Sequence, residues 1–134
     1  MARILDIEGI GAGFATKLRE AGIRTTAALL KAAGSKRGRH DLAAETGIPE
    51  KLILEWVNLA DLMRIRGVGE EFSDLLEEAG VDTVKELARR DPENLYAALH
   101  ETNMRSKLVR RMPSRDQVAD WVEQARSLPA MVTH

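Results

Sequence analysis

Residues 7–23 of this chain read IEGIGAGFATKLREAGI, and residues 65–81 read IRGVGEEFSDLLEEAGV. Eight of the seventeen positions are identical, and two more exchange Ile for Val. A repeat spaced by 58 residues restricts the 134-residue chain to two related units. Each unit of roughly 60 residues lies near the lower limit for folding alone. The two are therefore expected to share a core or pack tightly.

Helical spacing recurs along the whole chain, whereas no segment alternates apolar and polar residues over a strand length. Phe14, Leu18 and Ala21 fall on one helical face, and Phe72, Leu76 and Ala79 repeat it. Gly22 and Gly80 follow as helix-ending positions where positive φ avoids a Cβ clash. Thr25 and Thr83 read as N-caps, with Glu86 placed to complete a capping box. Asp91 and Pro92 read as N-cap and N1 of a helix through Leu95 and Leu99. Its counterpart in the first unit is expected from about His40 to Thr46, ending at Gly47. The run Lys36-Arg37-Gly38-Arg39-His40 then reads as a loop. Each unit closes with an amphipathic helix carrying Trp-Val-x-x-Ala, at Trp56 and at Trp121. Ser114 and Gln117 start the second of these with another capping box. The tryptophan spacing is 65 rather than 58, so the second unit carries about seven extra residues, near Met104–Met112.

These patterns predict an all-α chain of ten or so short helices in two tandem units, residues 1–63 and 64–134. The second glycine turn is preceded by the long Trp56 helix, while the first is preceded only by Arg3-Ile4-Leu5-Asp6. The Trp121 helix is accordingly expected to pack beside the first unit's turn. The two units would then interlock as one body with pseudo-two-fold symmetry.

Composition narrows the chemistry. The chain has no cysteine, which excludes disulfides and thiolate metal sites and suits a reducing cytoplasm. The N-terminus lacks the apolar run of a signal peptide, and no stretch approaches the length of a membrane span. The three histidines, His40, His100 and His134, have no metal-ligand spacing. No nucleophile, base and orienting acid form a recognisable set, so the expectation is a non-catalytic protein without a cofactor. Net charge is only −1. Its distribution is uneven: residues 1–40 hold eight Lys/Arg and three Asp/Glu, and residues 70–101 hold three and ten. Residues 102–115 carry Arg105, Lys107, Arg110, Arg111 and Arg115 with no acid. Such polarity suits a charged partner.

A Gly-x-Gly turn leading into a helix presents unpaired amides at the positive end of the helix dipole. Such a nest suits a phosphate. In the first copy the nest would comprise Gly9, Gly11 and Gly13, with Lys17 one turn along and Arg19 or Arg24 beside it. In the second copy Glu70 and Glu71 occupy the first helical positions and would repel a phosphate. Gly67 and Gly69, with Arg64 and Arg66 alongside, are therefore read as mainly structural. Trp56 and Trp121 have apolar helical neighbours and read as core. The glycines have no Walker sequence after them and no strand before them, which excludes a nucleotide loop.

The pattern IEGIGxxxAxxLxxAGI resembles the helix-hairpin-helix motif. Each unit resembles the N-terminal helix-hairpin-helix domain of archaeal recombinases and the hairpin domains of DNA polymerase beta and topoisomerase V, a SAM-like fold. From about Ile4 to Pro129 the chain resembles a prokaryotic family of tandem helix-hairpin-helix proteins filed as a domain of unknown function. The segments carrying this likeness are LILEWVN at 52–58, DLMRIRGVG at 61–69 and AGVDTVKEL at 79–87. The resemblance implies sequence-independent binding of DNA, or another nucleic acid, through hairpin amides. It also implies a monovalent cation at hairpin carbonyls, here those of Leu5, Ile7 and Ile10. Gly13 departs from the lysine common at that position. The site expected from these readings comprises Gly9, Gly11, Gly13, Lys17 and Arg19, with Lys36, Arg37 and Arg39 as auxiliary contacts. The competing expectation is a protein-interaction or self-assembly adaptor with no nucleic-acid ligand, given the near-neutral charge and its segregation.

Overall fold

The computed structural model describes residues 2–134. Among these the chain forms a 3-10 turn at Ile4–Asp6 and eight α-helices. They are α1 (Ala12–Glu20), α2 (Thr26–Ala33), α3 (Lys36–Thr46), α4 (Glu50–Leu62), α5 (Glu70–Glu78), α6 (Val84–Ala88), α7 (Pro92–Ser106) and α8 (Arg115–Ser127). The one β pairing among the described residues is an isolated antiparallel bridge between Arg3 and Thr25. The fold class is all-α. Two compact units are present, Met1–Asp61 with Met131–His134, and Leu62–Ala130.

In the first unit the 3-10 turn is held where Asp6 Oδ2 accepts the Arg3 amide at 2.9 Å. The chain then turns at Gly9, with φ +94°, and enters α1 from Gly11. Ala15 and Leu18 bury the inner face of α1, which ends at Gly22 with φ +86°. Thr25 caps α2 by accepting the Ala28 amide, and Ser35 caps α3 by accepting the Gly38 amide. Gly47, in the left-handed conformation, stops α3. Helix α4 carries Ile53, Trp56, Val57 and Ala60 into the interior. The edge of the Phe14 ring meets Trp56, with centroids 5.0 Å apart at 61°. A Cβ on Gly9 would stand 3.3 Å from Trp56 Nε1, so this turn lies directly on the indole edge.

The second unit builds its core from Leu62, Ile65, Val68, Leu75, Leu76, Leu95, Leu99, Trp121 and their neighbours. Gly67 turns with φ +95°, and Gly69 precedes α5. Thr83 caps α6, Asp91 caps α7, and Ser114 with Gln117 closes a capping box at α8. Glu86 reaches back to the Asp82 amide, 3.0 Å away, rather than to that of Thr83. Phe72 lies against Trp121 with centroids 5.2 Å apart, and a Cβ on Gly67 would stand 3.1 Å from Trp121 Nε1.

The same contacts recur in both units. Trp121 supports the Gly67 turn of its own unit, and Trp56 supports the Gly9 turn. Within each unit an indole is thus matched to a phenylalanine and a turn glycine. The run at 36–40 is different from expectation. It is not a loop but the first turn of α3, because the Ser35 hydroxyl starts the helix there.

Candidate functional site

Helices with a side-chain oxygen at the N-cap spend that oxygen on their own first-turn amides, as Thr25, Ser35, Thr83, Asp91 and Ser114 do here. Two helices differ. Helices α1 and α5 begin at Gly11 and Gly69, and no side chain caps either one. In α1 the first amide to find a helical acceptor is that of Ala15, bonded to the Gly11 carbonyl at 2.9 Å. The amides of Ala12, Gly13 and Phe14 are therefore the donors left open at the positive end of the dipole. Gly11, Ala12 and Gly13 are exposed, and nothing lies within 4 Å of where a Cβ on Gly11 or Gly13 would sit. No acid occupies the first turn of α1.

This end of α1 opens onto a shallow cavity of ≈ 310 Å³ lined by Gly11, Gly13, Phe14 and Lys17. Its walls are mostly the glycine backbone, the Phe14 ring and the stem of Lys17. Lys17 also borders a smaller cavity, ≈ 210 Å³, with Glu20, Ala21, Glu45 and Thr46. Lys17 thus faces the C-terminal end of α3. Lys36 and Arg37 occupy the N-terminal end of that eleven-residue helix, about 16 Å away. They border a cavity of ≈ 530 Å³ with His40, Asp41 and Glu50. Arg37 lies 3.9 Å from Asp41, with both side chains largely in solvent, and His40 Nδ1 lies 2.7 Å from Glu50 Oε1. The expected residues fall into two places, the α1 entrance and the α3 entrance, with Glu20 and Glu45 beside Lys17.

Arg39 leaves the set. Its guanidinium is buried and donates to the carbonyls of Ala33 (3.2 Å), Gly34 (2.9 Å) and Thr133 (2.6 Å). Burial pushes its pKa below the ordinary arginine value, partly countered by Glu50. The Thr133 amide in turn donates to the Gly34 carbonyl at 2.9 Å. Arg39 therefore fastens the segment 131–134 to the junction of α2 and α3. A buried guanidinium committed to three carbonyls is not presented to an approaching phosphate. Gly9 supplies the positive φ of the turn and lies close to Trp56. Arg19 is exposed on α1. The Ile7 carbonyl, one of three considered for a cation, accepts the Ile10 amide at 3.2 Å.

At the second turn, Glu70 and Glu71 stand in the first turn of α5. Arg64 Nη2 donates to the Pro129 carbonyl at 2.8 Å. The Arg66 amide donates to Gln124 Oε1 (2.9 Å), and Gln124 Nε2 donates to the Arg66 carbonyl (3.0 Å). The N-terminal side of this turn is thus tied to α8 and to the segment that follows it.

A family model described as Domain of unknown function (DUF4332) matches residues 8–128. The chain belongs to that family. The match takes in both glycine turns and both tryptophan helices. No curated protein and no solved structure matches the chain. Among the described residues no group of His, Cys, Asp or Glu is placed to hold a metal ion, and no helix is long and apolar enough to cross a membrane.

Two features of the site had no direct sign in the sequence. Phe14 reads as a core residue, yet its half-buried ring also lines the cavity. The open amides at Ala12 and Phe14 follow from where α1 starts, which the glycine pattern alone does not specify.

Proposed function

We propose that the first unit is a non-catalytic helix-hairpin-helix module that binds nucleic acid, with DNA as the leading ligand, without reading its sequence. A backbone phosphate would sit at the entrance of α1 and accept from the Ala12, Gly13 and Phe14 amides, with Lys17 adding charge. The observation that supports this most is the glycine-capped, acid-free start of α1, whose exposed residues 11–13 stand beside Lys17. Lys36 and Arg37 supply a second line of support. They occupy the first turn of α3, where the helix dipole disfavours cations unless an anion joins them.

The test is a gel shift at low salt with a short DNA duplex. The expected dissociation constant is tighter than roughly 10⁻⁴ M, the weak end of non-specific binding. Absence of binding at that level defeats the reading. Lys17→Glu should weaken binding and flatten its salt dependence; equal affinity would remove the α1 site. A protein-docking adaptor is the second reading, favoured by the largely apolar wall that Phe14 and the glycines give the cavity. It is supported if the chain shows no DNA affinity but forms a salt-sensitive oligomer, measured by mass in solution at two salt concentrations.

A further inference from the structure

The segment from the last turn of α7 to the start of α8 lies outside both glycine turns and is the most cationic stretch of the chain. Residues 102–115 hold five Lys/Arg and no acid. One of the five is spoken for: Arg115 lies 3.5 Å from Glu93, and its guanidinium carbon lies 4.9 Å from the centroid of the Tyr96 ring. Arg105, Lys107, Arg110 and Arg111 are exposed, and none has an ion-pair partner among the described residues.

The backbone beneath these four cations is held in place. Asn103 grips Val109 from both sides, accepting its amide at 2.9 Å and donating to its carbonyl at 3.1 Å. Val109 is buried, and Leu108 and Met112 pack on the core of the second unit. The apolar residues of the loop thus point inward, which leaves the cations displayed on a fixed frame.

Lys107 adds an independent sign. It ends α7 in the left-handed conformation, with φ 51° and ψ 46°. It is the one non-glycine residue with positive φ among the described residues. At the ends of α1, α3 and α5 the equivalent need is met by Gly22, Gly47 and Gly80. Glycine carries no steric cost in this conformation and lysine does. The helix dipole accounts for cations in the last turn of α7, which covers Arg105 and Lys107, but its influence fades before Arg110 and Arg111.

We infer that Arg105, Lys107, Arg110 and Arg111 form a second contact for nucleic-acid phosphates, in the unit whose own glycine turn is closed by Glu70 and Glu71. Three of the four are arginines, whose planar fork matches a phosphate. A membrane surface would hold such a patch firmly with apolar side chains to insert, and only Met104 stands out in solvent here. A protein partner would require a buried apolar centre, which the inward-turned Leu108, Val109 and Met112 do not provide. Phosphate-backbone binding requires neither, because counterion release drives it. This contact goes beyond the α1 entrance and stands even if that entrance holds nothing.

Fluorescence anisotropy with a labelled duplex, across a salt series, tests the assignment. The triple variant Arg105→Ala, Arg110→Ala, Arg111→Ala should lose roughly tenfold or more in affinity, and its salt slope should fall by about 3. Lys107→Gly should weaken binding while leaving the melting temperature unchanged or higher, which separates a ligand contact from a structural role. Lys17→Glu, measured in parallel, reports on the α1 entrance, so failure of either site is seen separately. Unchanged affinity and salt slope in both loop variants overturns the proposal. Binding of the loop to anionic phospholipid vesicles or polyglutamate, with none to the duplex, also overturns it.

Discussion

At Gly9 a single φ angle and a single neighbour decide what residue the chain can use. The turn has φ +94°, and a Cβ would meet Trp56 Nε1 at 3.3 Å. Gly9→Ala should therefore destabilise the protein by about 1–2 kcal/mol, measured by urea denaturation. Gly67→Ala should cost at least as much, because Trp121 Nε1 is nearer. Gly13 is the contrast. It lies inside α1 with open space at its Cβ position, so Gly13→Ala should stabilise by about 0.5–1 kcal/mol. Gly13 thus differs in sign from the repeated pair Gly9 and Gly67, and φ and surroundings separate them. Arg39 makes the same point for charge. In the run Lys36-Arg37-Gly38-Arg39-His40 it looks like one surface cation among several, yet it is buried against three carbonyls. Arg39→Ala should cost about 2–3 kcal/mol by leaving those acceptors unpaired. It should also speed hydrogen exchange at the Thr133 amide, whose place beside Gly34 depends on the clamp. Arg39→Lys should recover only part, since one ammonium cannot reproduce the fork.

Helix starts were the most legible elements, and the reason is local. Ser, Thr and Asp at an N-cap bond to an amide within their own turn, so no distant residue has to cooperate. Thr25, Thr83, Asp91 and Ser114 cap as their sequence context indicates, and Gly22, Gly47 and Gly80 end helices with positive φ. The α3 start is masked in the sequence because Ser35 is followed by a basic run that resembles a solvated loop. The contrast among caps carries the functional argument. Gly11→Ser should add a side-chain acceptor to α1 and stabilise it by a few tenths of a kcal/mol, since its φ of −86° is open to any residue. The same hydroxyl would compete for the amides proposed to hold a phosphate. The expected result is a melting temperature equal or higher with weaker DNA binding. A variant that binds DNA as well as the parent would show that the open amides are not the contact. At the far end of the chain, Ser114→Ala should cost about 1 kcal/mol through loss of the α8 capping box.

For the molecule as a whole, a net charge of −1 leaves no broad field to draw in a polyanion. Any nucleic-acid binding must come from a few local cations, so affinity should fall with salt at a slope of only a few units rather than ten. A slope near ten would point to an extended basic surface the chain does not have. The all-α class, the caps and the repeated glycine turns could be read from the chain because each arises from contacts within one or two helical turns. The repeat also singled out α1 over α5, since Glu70 and Glu71 stand where a phosphate would have to approach. What could not be read was every choice between distant partners that local rules leave equal. Either tryptophan could have covered either turn, and both copies carry the same Phe-x-x-x-Leu face. Packing assigns Trp56 to Phe14 and Gly9, and Trp121 to Phe72 and Gly67. In the same way, nothing near Arg39 in the sequence foretells that residues 131–134 return to it across more than ninety positions. Hydrogen bonds and burial of that range exist only once the chain has folded.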